Sequence, residues 1–312
     1  MRTPVRAVIL AALAVCGAFA PGLIGATSSS TAASPPVSVF PISGSRVAPP
    51  HGQISFRGID PSQIGTVMVT GSRSRLHAGA LKAHSDGRGA SFVPTRAFTP
   101  GETVTVTTDL SIVGGQHGTF HFTVASPAGR LPNRPFAPSK RVPGDVLRFQ
   151  SRPDLSPVAV KVTRREKRIA LGYIFLGPEY GPVQSGPMIV DSGGGLVWFK
   201  PVPRYDLASD FRVQTYEGKP VLTWWQGYFG AGVGSGVDVI NDTAYRQIAV
   251  VRAGNGLSAD LHEFKLTPRG TALVAAVYPV HWDASSIHKS KHAIVFDCVV
   301  QEIDVATGLV EY

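Results

Sequence analysis

The residues best placed to do chemistry gather around one histidine. His262 stands in the segment DLHEF, with Asp260 two positions before it and Glu263 directly after. A neutral imidazole can act as nucleophile or base, and a neighbouring carboxylate fixes which ring nitrogen carries the proton. The run DLHEFKL alternates as a strand does, so Asp260 and His262 share one face and Glu263 points away unless the strand bulges. Asp260 is therefore the orienting candidate, and a hydrogen-bonded structural histidine is the competing reading of His262. Arg212, Arg252 and Lys200 are candidate anion contacts, because fixed positive donors stabilise charge developing on a transferred group. Each also fits a plain surface position. Trp224 and Trp225 fall on opposite faces of a strand, which lets one pack in the interior while the other borders a substrate pocket.

Other motifs carry less. GAGVGSG (230–236) lacks the following Gly-Lys-Ser/Thr and the helix that give phosphate loops their meaning, and it reads as a place of close backbone approach. His117 and His121 in HGTFH lie on one strand face, about 13 Å apart when extended, too far to share a metal. His288 and His292 occupy a polar loop with no third ligand marked. No metal or cofactor is therefore expected. Cys298, in AIVFDCVVQEI, reads as a small apolar residue of a buried strand.

The elements that must position these residues are strands. The 312 residues include 34 Gly and 25 Pro, and only 16% are charged. That composition excludes long helical bundles and coiled coils. The net charge of +9 is uneven: residues 1–150 hold 14 Lys/Arg against 5 Asp/Glu, whereas residues 151–312 hold 16 of each. The excess belongs to the first half, and the RREKR run (164–168) reads as a solvated face, so nucleic acid is not an expected partner. At the N-terminus, Arg2 and Arg6 precede an apolar stretch from Ala7 to Ala20, followed by small residues, which reads as a signal peptide over 1–26. The stretch is shorter than a membrane span needs. A secreted or cell-envelope location follows, with no stable membrane span after signal removal.

Residues 27–36 read as a flexible lead-in. Residues 37–125 give short runs such as VSVF, ETVTVTTD and GTFHFTVA between turn signals, which predicts a β-sandwich of immunoglobulin-like type. Residues 126–157, rich in Pro, read as a linker. From 158 to 312 the pattern is an apolar strand, a turn such as DSGGG, EGKP, TPRGT or DVATG, and another apolar strand. The first strand of a pair often ends in Asp, at Asp191, Asp242 and Asp304. This grammar predicts a partial β-propeller of about three blades, in an all-β chain.

The strings GPMIVDSGGGLVWFKP (186–201), DFRVQTYEGKPVLTWWQG (210–227), VVRAGNGLSADLHEFKLTPRGTAL (250–273) and QEIDVATGLV (301–310) together resemble bacterial arylsulfotransferase-like proteins of the secreted type. GSRSRLHAGALKAHSDGRGASFVP (71–94) and SRPDLSPVAV (151–160) look like the leader domain of that group. The resemblance implies a six-bladed propeller behind a β-sandwich. It also implies transfer of a sulfuryl group from a phenolic sulfate ester to a phenol, without a nucleotide sulfate donor, through a sulfated histidine. His262 matches a histidine-bearing inner-strand motif of the family. Small phenols would be the substrates, and no cofactor is implied. Members normally continue beyond TGLVEY, so the resemblance implies a C-terminally incomplete domain. The competing functional reading is a non-catalytic secreted propeller that binds a protein or a cell-surface glycan; a quinoprotein-like oxidoreductase would need cofactor ligands the sequence does not show.

Overall fold

The Thr-Val alternation of ETVTVTTD becomes a strand in which Val104 and Val106 are fully buried and the threonines face outward. The protein is seen in a computed structural model that describes residues 36–129, 140–166, 168, 170–179, 181–230 and 232–312. The expected signal peptide and nearly all of the lead-in lie outside the described residues, as does 130–139 of the expected linker.

Eight strands form two antiparallel sheets at the start of the described chain. One holds β1 (Ser38–Phe40), β2 (Ile54–Arg57), β5 (Gly79–Ala83) and β6 (Gly89–Pro94) in the order β1-β2-β6-β5. The other holds β3 (Met68–Gly71), β4 (Arg75–His77), β7 (Thr103–Thr107) and β8 (Thr119–Thr123) in the order β4-β3-β7-β8. Ile54, Phe56 and Phe92 from the first sheet meet Val69, Val104, Phe120 and Phe122 from the second in one core. Truncating a phenylalanine there to alanine would cost about 3–5 kcal/mol.

A short strand, β9 (Ser126–Pro127), leaves this region to pair with a strand far along the chain. Three strands then form a small sheet: β10 (Ile174–Leu176), β11 (Met188–Val190) and β12 (Leu196–Phe199). The remainder is β13 (Leu207–Tyr216), β14 (Lys219–Gly230), β15 (Val233–Asn241), β16 (Gln247–Val251), β17 (Ala259–Leu266), β18 (Thr271–Trp282) and β19 (Ala293–Asp304). Glu217 and Gly218, both at positive φ (49° and 75°), make the two-residue turn between β13 and β14. Such a turn matches the twist of the strands it joins.

The expected partial propeller is not what forms. The hairpins do not separate into blades. A bridge between Gly236 and Ala259 joins β15 to β17, giving one open sheet of eight strands, β13-β14-β15-β17-β18-β19, with β16 on β15 and β9 on β18. No sheet among the described residues closes into a barrel or curls strongly. The chain is all-β, built from several antiparallel sheets. The physical reason for the error is that a strand-turn-strand repeat specifies hairpins only. Whether neighbouring hairpins diverge around an axis or continue one ladder is decided by contacts between them.

The aspartates ending several strands are explained directly. Asp191 Oδ1 accepts from the amides of Gly193 and Gly195 at 2.7 and 2.9 Å. Asp242 Oδ1 accepts from Ala244 and Arg246 at 2.9 and 2.8 Å, and Asp304 Oδ1 from Thr307 at 2.7 Å. Each carboxylate satisfies the backbone of the turn it opens. Cys298 corrects the expectation of a core residue. It lies in a strand, β19, but β19 is a sheet edge over this stretch, and Cys298 is exposed beside Ile294, Phe296 and Val300. No helix among the described residues is long and apolar enough to cross a membrane.

Candidate functional site

Between Ala259 and Phe264 the ladder joining β17 to β18 is interrupted, and the residues of DLHE are freed from regular pairing. Asp260 turns inward and is 4% exposed. Its Oδ2 lies 2.5 Å from Nδ1 of His262 and accepts the His262 amide at 3.3 Å, while its Oδ1 accepts the amide of Gly234 at 2.6 Å. A carboxylate accepts only, so the neutral ring donates from Nδ1 and presents a lone pair at Nε2. The His262 side chain is 60% exposed, so this nitrogen is accessible to an incoming molecule.

The glycine-rich segment sets this arrangement. A Cβ on Gly234 would lie 2.7 Å from the Trp225 ring and 2.8 Å from the Leu261 amide nitrogen. At Gly227 it would meet the Gly236 backbone at 2.5 Å and the same ring at 2.9 Å. Absence of side chains therefore lets β14, β15 and β17 close around the Trp225 indole, which donates to Ala259 O at 2.9 Å. The segment is a close approach of backbone, as its composition suggested.

Arg212 is the second centre. The ladder of β13 breaks between Ser209 and Arg212, where Asp210 adopts φ 52°. Arg212 Nη2 donates to Asp210 at 2.6 Å, to Glu263 at 2.8 Å and to Phe264 O at 2.8 Å, linking β13 to β17. Burial alone would lower the proton affinity of the guanidinium; the bonds from Glu263 and Asp210 outweigh it and raise it. Gln214 repeats the link one step along, donating to Phe264 O at 3.0 Å and accepting from Leu266 at 2.9 Å. Burial raises the Asp210 carboxyl, against the pull of Arg212 and the Phe264 amide.

Asp238 on β15 is fully buried and neither carboxyl oxygen has a hydrogen-bond partner. Burial, followed by the charges of Asp210 and Asp260, pushes its carboxyl well above the ordinary range, with Arg212 opposing. Nε of Arg212 is likewise buried without a partner. Carboxyls from β13, β15 and β17 thus share one interior neighbourhood with Arg212, the kind of grouping that perturbs proton affinities at functional sites. An open cavity of about 640 Å³ adjoins it, lined among others by Arg212, Gln214, Glu217, Glu263, Lys265 and Thr267.

The residues named from the sequence fall into three groups. His262 and Asp260 come together, and Arg212 lies close by through Glu263, a neighbour of His262 that the bulge turns back toward β13. Trp224 and Trp225 are each 1% exposed and occupy separate cores on opposite faces of β14, so neither offers a ring face to a ligand. Lys200 stands 5.9 Å from the Trp224 ring centroid, and Arg252 is exposed. Asp210 and Asp238 were missed. The signal for Asp238 was present: in GVDVIN it is in phase with Ile240, on a buried face where a charge is costly. No group of three or more His, Cys, Asp or Glu side chains among the described residues is arranged to hold a metal ion.

Residues 212–311 match the model of a family described as arylsulfotransferase (ASST). That stretch is about a third of the chain and includes Arg212, Asp238, Asp260, His262 and Glu263. No curated protein matches the chain. Among solved structures, the surface layer protein SbsC in a structure of its domains 1–6 is 12% identical, with 87% of this chain and 41% of that one covered at a TM-score of 0.23. A crystal structure of the S-layer protein rSbsC gives the same identity and TM-score, with 86% and 41% covered. The chain thus spans less than half the length of either, and a TM-score of 0.23 does not amount to a common fold.

Proposed function

We propose that this protein transfers a sulfuryl group from a phenolic sulfate ester to a phenol acceptor, independently of nucleotide sulfate, with His262 as the group that is transiently sulfated. The observation that carries the reading is the 2.5 Å contact between Asp260 Oδ2 and His262 Nδ1 beneath an exposed imidazole, within the stretch that matches the arylsulfotransferase family. In the first step Nε2 attacks sulfur, the bond from sulfur to the aryl oxygen breaks, and a phenolate leaves with the electron pair. The imidazole then carries positive charge, and Asp260 stabilises it through Nδ1–H. In the second step the acceptor phenol oxygen attacks sulfur, its proton passes to solvent, and the nitrogen–sulfur bond breaks to restore the neutral ring. Arg212 lines the neighbouring cavity with its guanidinium paired to Asp210 and Glu263, and its part in the reading is to hold β13 against the segment that carries His262. The basic and apolar opening of the sequence supports export, so the acceptors would be met outside the cytoplasm.

The test combines a chromogenic phenyl sulfate donor with a phenol acceptor, using the folded full chain. Transfer should appear, and intact-mass analysis without acceptor should show one sulfo group on the peptide holding His262. His262→Ala should abolish both. Absence of transfer by the folded protein, or unchanged activity and modification in His262→Ala, rejects the reading.

A further inference from the structure

His84 stands at the end of the β5 hairpin arm, 3% exposed, with both ring nitrogens engaged. Arg57 Nη1 lies 2.9 Å from its Nδ1, and Ser91 Oγ lies 2.9 Å from its Nε2. A guanidinium only donates, so Nδ1 accepts and Nε2–H donates to Ser91. The neutral ring and a single tautomer are therefore built into the packing. Ser91 Oγ passes the chain on to the carbonyl of Val310 at 3.1 Å, where the Gln53 amide also donates. Next to His84, the amide and hydroxyl of Ser85 both donate to Glu311 Oε1, at 2.6 and 2.7 Å, and Glu311 is fully buried. One corner of the first sheet thus grips the segment that follows β19 through polar contacts, buried at Ser91 and part-buried at Ser85.

A proton added to His84 has nowhere to go. It would place an N–H on Nδ1, facing the Arg57 donor at 2.9 Å, and set two positive charges against each other. Arg57 is itself fixed by paired bonds to Asp86 at 2.7 and 3.0 Å, so it does not swing away freely. The charged groups facing His84 are Arg57 on β2, Asp86 in its own turn and Glu302 on β19; burial is the largest influence, followed by Arg57, and both lower its proton affinity against the two acids, to about 4. We propose that His84 is an acid-sensitive catch, whose protonation releases the Ser85–Ser91 hairpin from Val310 and Glu311 and loosens this corner of the N-terminal sheets from the C-terminal one. The β9–β18 pairing and the stacking of Arg46 over Trp282 at 4.6 Å lie elsewhere, so the release is local.

The sign follows from linkage. The released ring titrates near 6.5, its ordinary value, and the gripped ring near 4. The catch is thus fully closed above the released value and opens progressively as pH falls. The opening equilibrium shifts about twentyfold between pH 7 and pH 5. The test is amide hydrogen exchange at these two pH values, corrected for the intrinsic rate, comparing the full chain with His84→Gln. Glutamine donates to Ser91 and accepts from Arg57 without taking up a proton. Ser85 and Glu311 should lose about twentyfold protection in the wild type, and none in His84→Gln, while Val104 and Val106 in the core stay protected in both. Equal protection of the wild type at both pH values overturns the proposal, and so does the same loss in both proteins. Should His84→Gln fail to fold, an NMR titration of the wild-type ring decides: a value near 4 supports the catch and one near 6.5 rejects it.

Discussion

The amide of Gly234 and the carboxylate of Asp260, 26 positions apart in sequence, meet at 2.6 Å. Through this bond the glycine-rich segment fixes the residue that orients His262. The close approach exists because Gly234 has no side chain to hold Trp225 and Leu261 away. The candidate chemistry is thereby tied to packing.

Gly234→Ala should damage both. The new methyl must displace either the Trp225 ring or the Leu261 backbone, and overpacking of this kind costs about 1–3 kcal/mol. Chemical denaturation should report that loss. Transferase activity should fall further than stability alone explains, because β17 shifts away and Asp260 loses its anchor. An alanine variant with wild-type stability and activity would refute the link.

Asp260→Asn separates charge from shape. The amide fills the same space, yet it cannot stabilise a positively charged imidazole, and its NH₂ competes for the role of donor. Activity should fall about a hundredfold or more, in the range of a lost acid–base partner. The fold should survive, as judged by an unchanged circular dichroism spectrum. Retained activity would show that Asp260 does not act through His262.

Asp238→Asn should stabilise the protein, with a pH dependence that identifies the cause. The fold raises the Asp238 carboxyl well above its ordinary 3.8, chiefly by burial, so the folded chain holds this proton more tightly than the unfolded chain. Its contribution is fully present below that ordinary value and is lost as pH rises from there toward the raised one. Asparagine has no proton to lose. The variant should therefore gain in melting temperature over wild type at pH 7, and the gap should close near pH 3. A gap that is constant with pH, or a variant less stable at pH 7, would show that Asp238 is not held neutral.

How much of this was legible in the sequence depends on the range of the interaction. The Asp191, Asp242 and Asp304 turns were readable because each carboxylate serves amides within five residues. The pairing of Asp260 with His262 was readable because the two lie only two positions apart, although the ladder break within DLHE, and not regular alternation, sets its geometry. The long-range arrangement was not. Arg212 meets Glu263 and Phe264 O across more than 50 positions, and two ladder breaks, at Asp210 and within DLHE, bring them together. Alternation predicts regular strands and cannot place a bulge. The same limit produced the propeller error, since the Gly236–Ala259 bridge that makes one sheet of two hairpin groups leaves no local trace. The exposure of Cys298 followed from β19 lying at an edge, again a property of neighbours and not of its own apolar run.

Arg212→Lys tests whether the β13–β17 link needs the reach of the guanidinium or only a positive charge. Lysine keeps the charge and has three N–H donors, but its side chain is one bond shorter and does not reach the place from which Nη2 holds Asp210, Glu263 and the Phe264 carbonyl. Half-buried Asp210 then loses a partner, which costs about 1–3 kcal/mol. Urea unfolding should show this loss, and sulfuryl transfer should fall with it. A lysine variant equal to wild type in both would mean that charge alone suffices.

Glu102 offers the cleanest test in the N-terminal sheets, because its buried carboxylate collects donors from two separate loops. It is 1% exposed, and its carboxylate accepts from the amides of Thr99, Arg73 and Ser74 and from the Ser74 hydroxyl, at 2.6–2.9 Å. Burial would raise its proton affinity, but these bonds outweigh it and hold the carboxyl down at about 2, from an ordinary 4.5. The stability it gives is present above 4.5 and is lost as pH falls toward 2. Glu102→Ala should cost about 3 kcal/mol or more at pH 7, since a ring of donors is left without an acceptor. Glu102→Gln keeps the shape and one acceptor oxygen but turns the other into a donor. Its deficit against wild type should be largest near neutral pH and should shrink toward pH 2, as the wild-type carboxyl takes up its proton. Equilibrium unfolding at several pH values reads this directly, and a deficit independent of pH would mean that the ionised form is not what the turn requires.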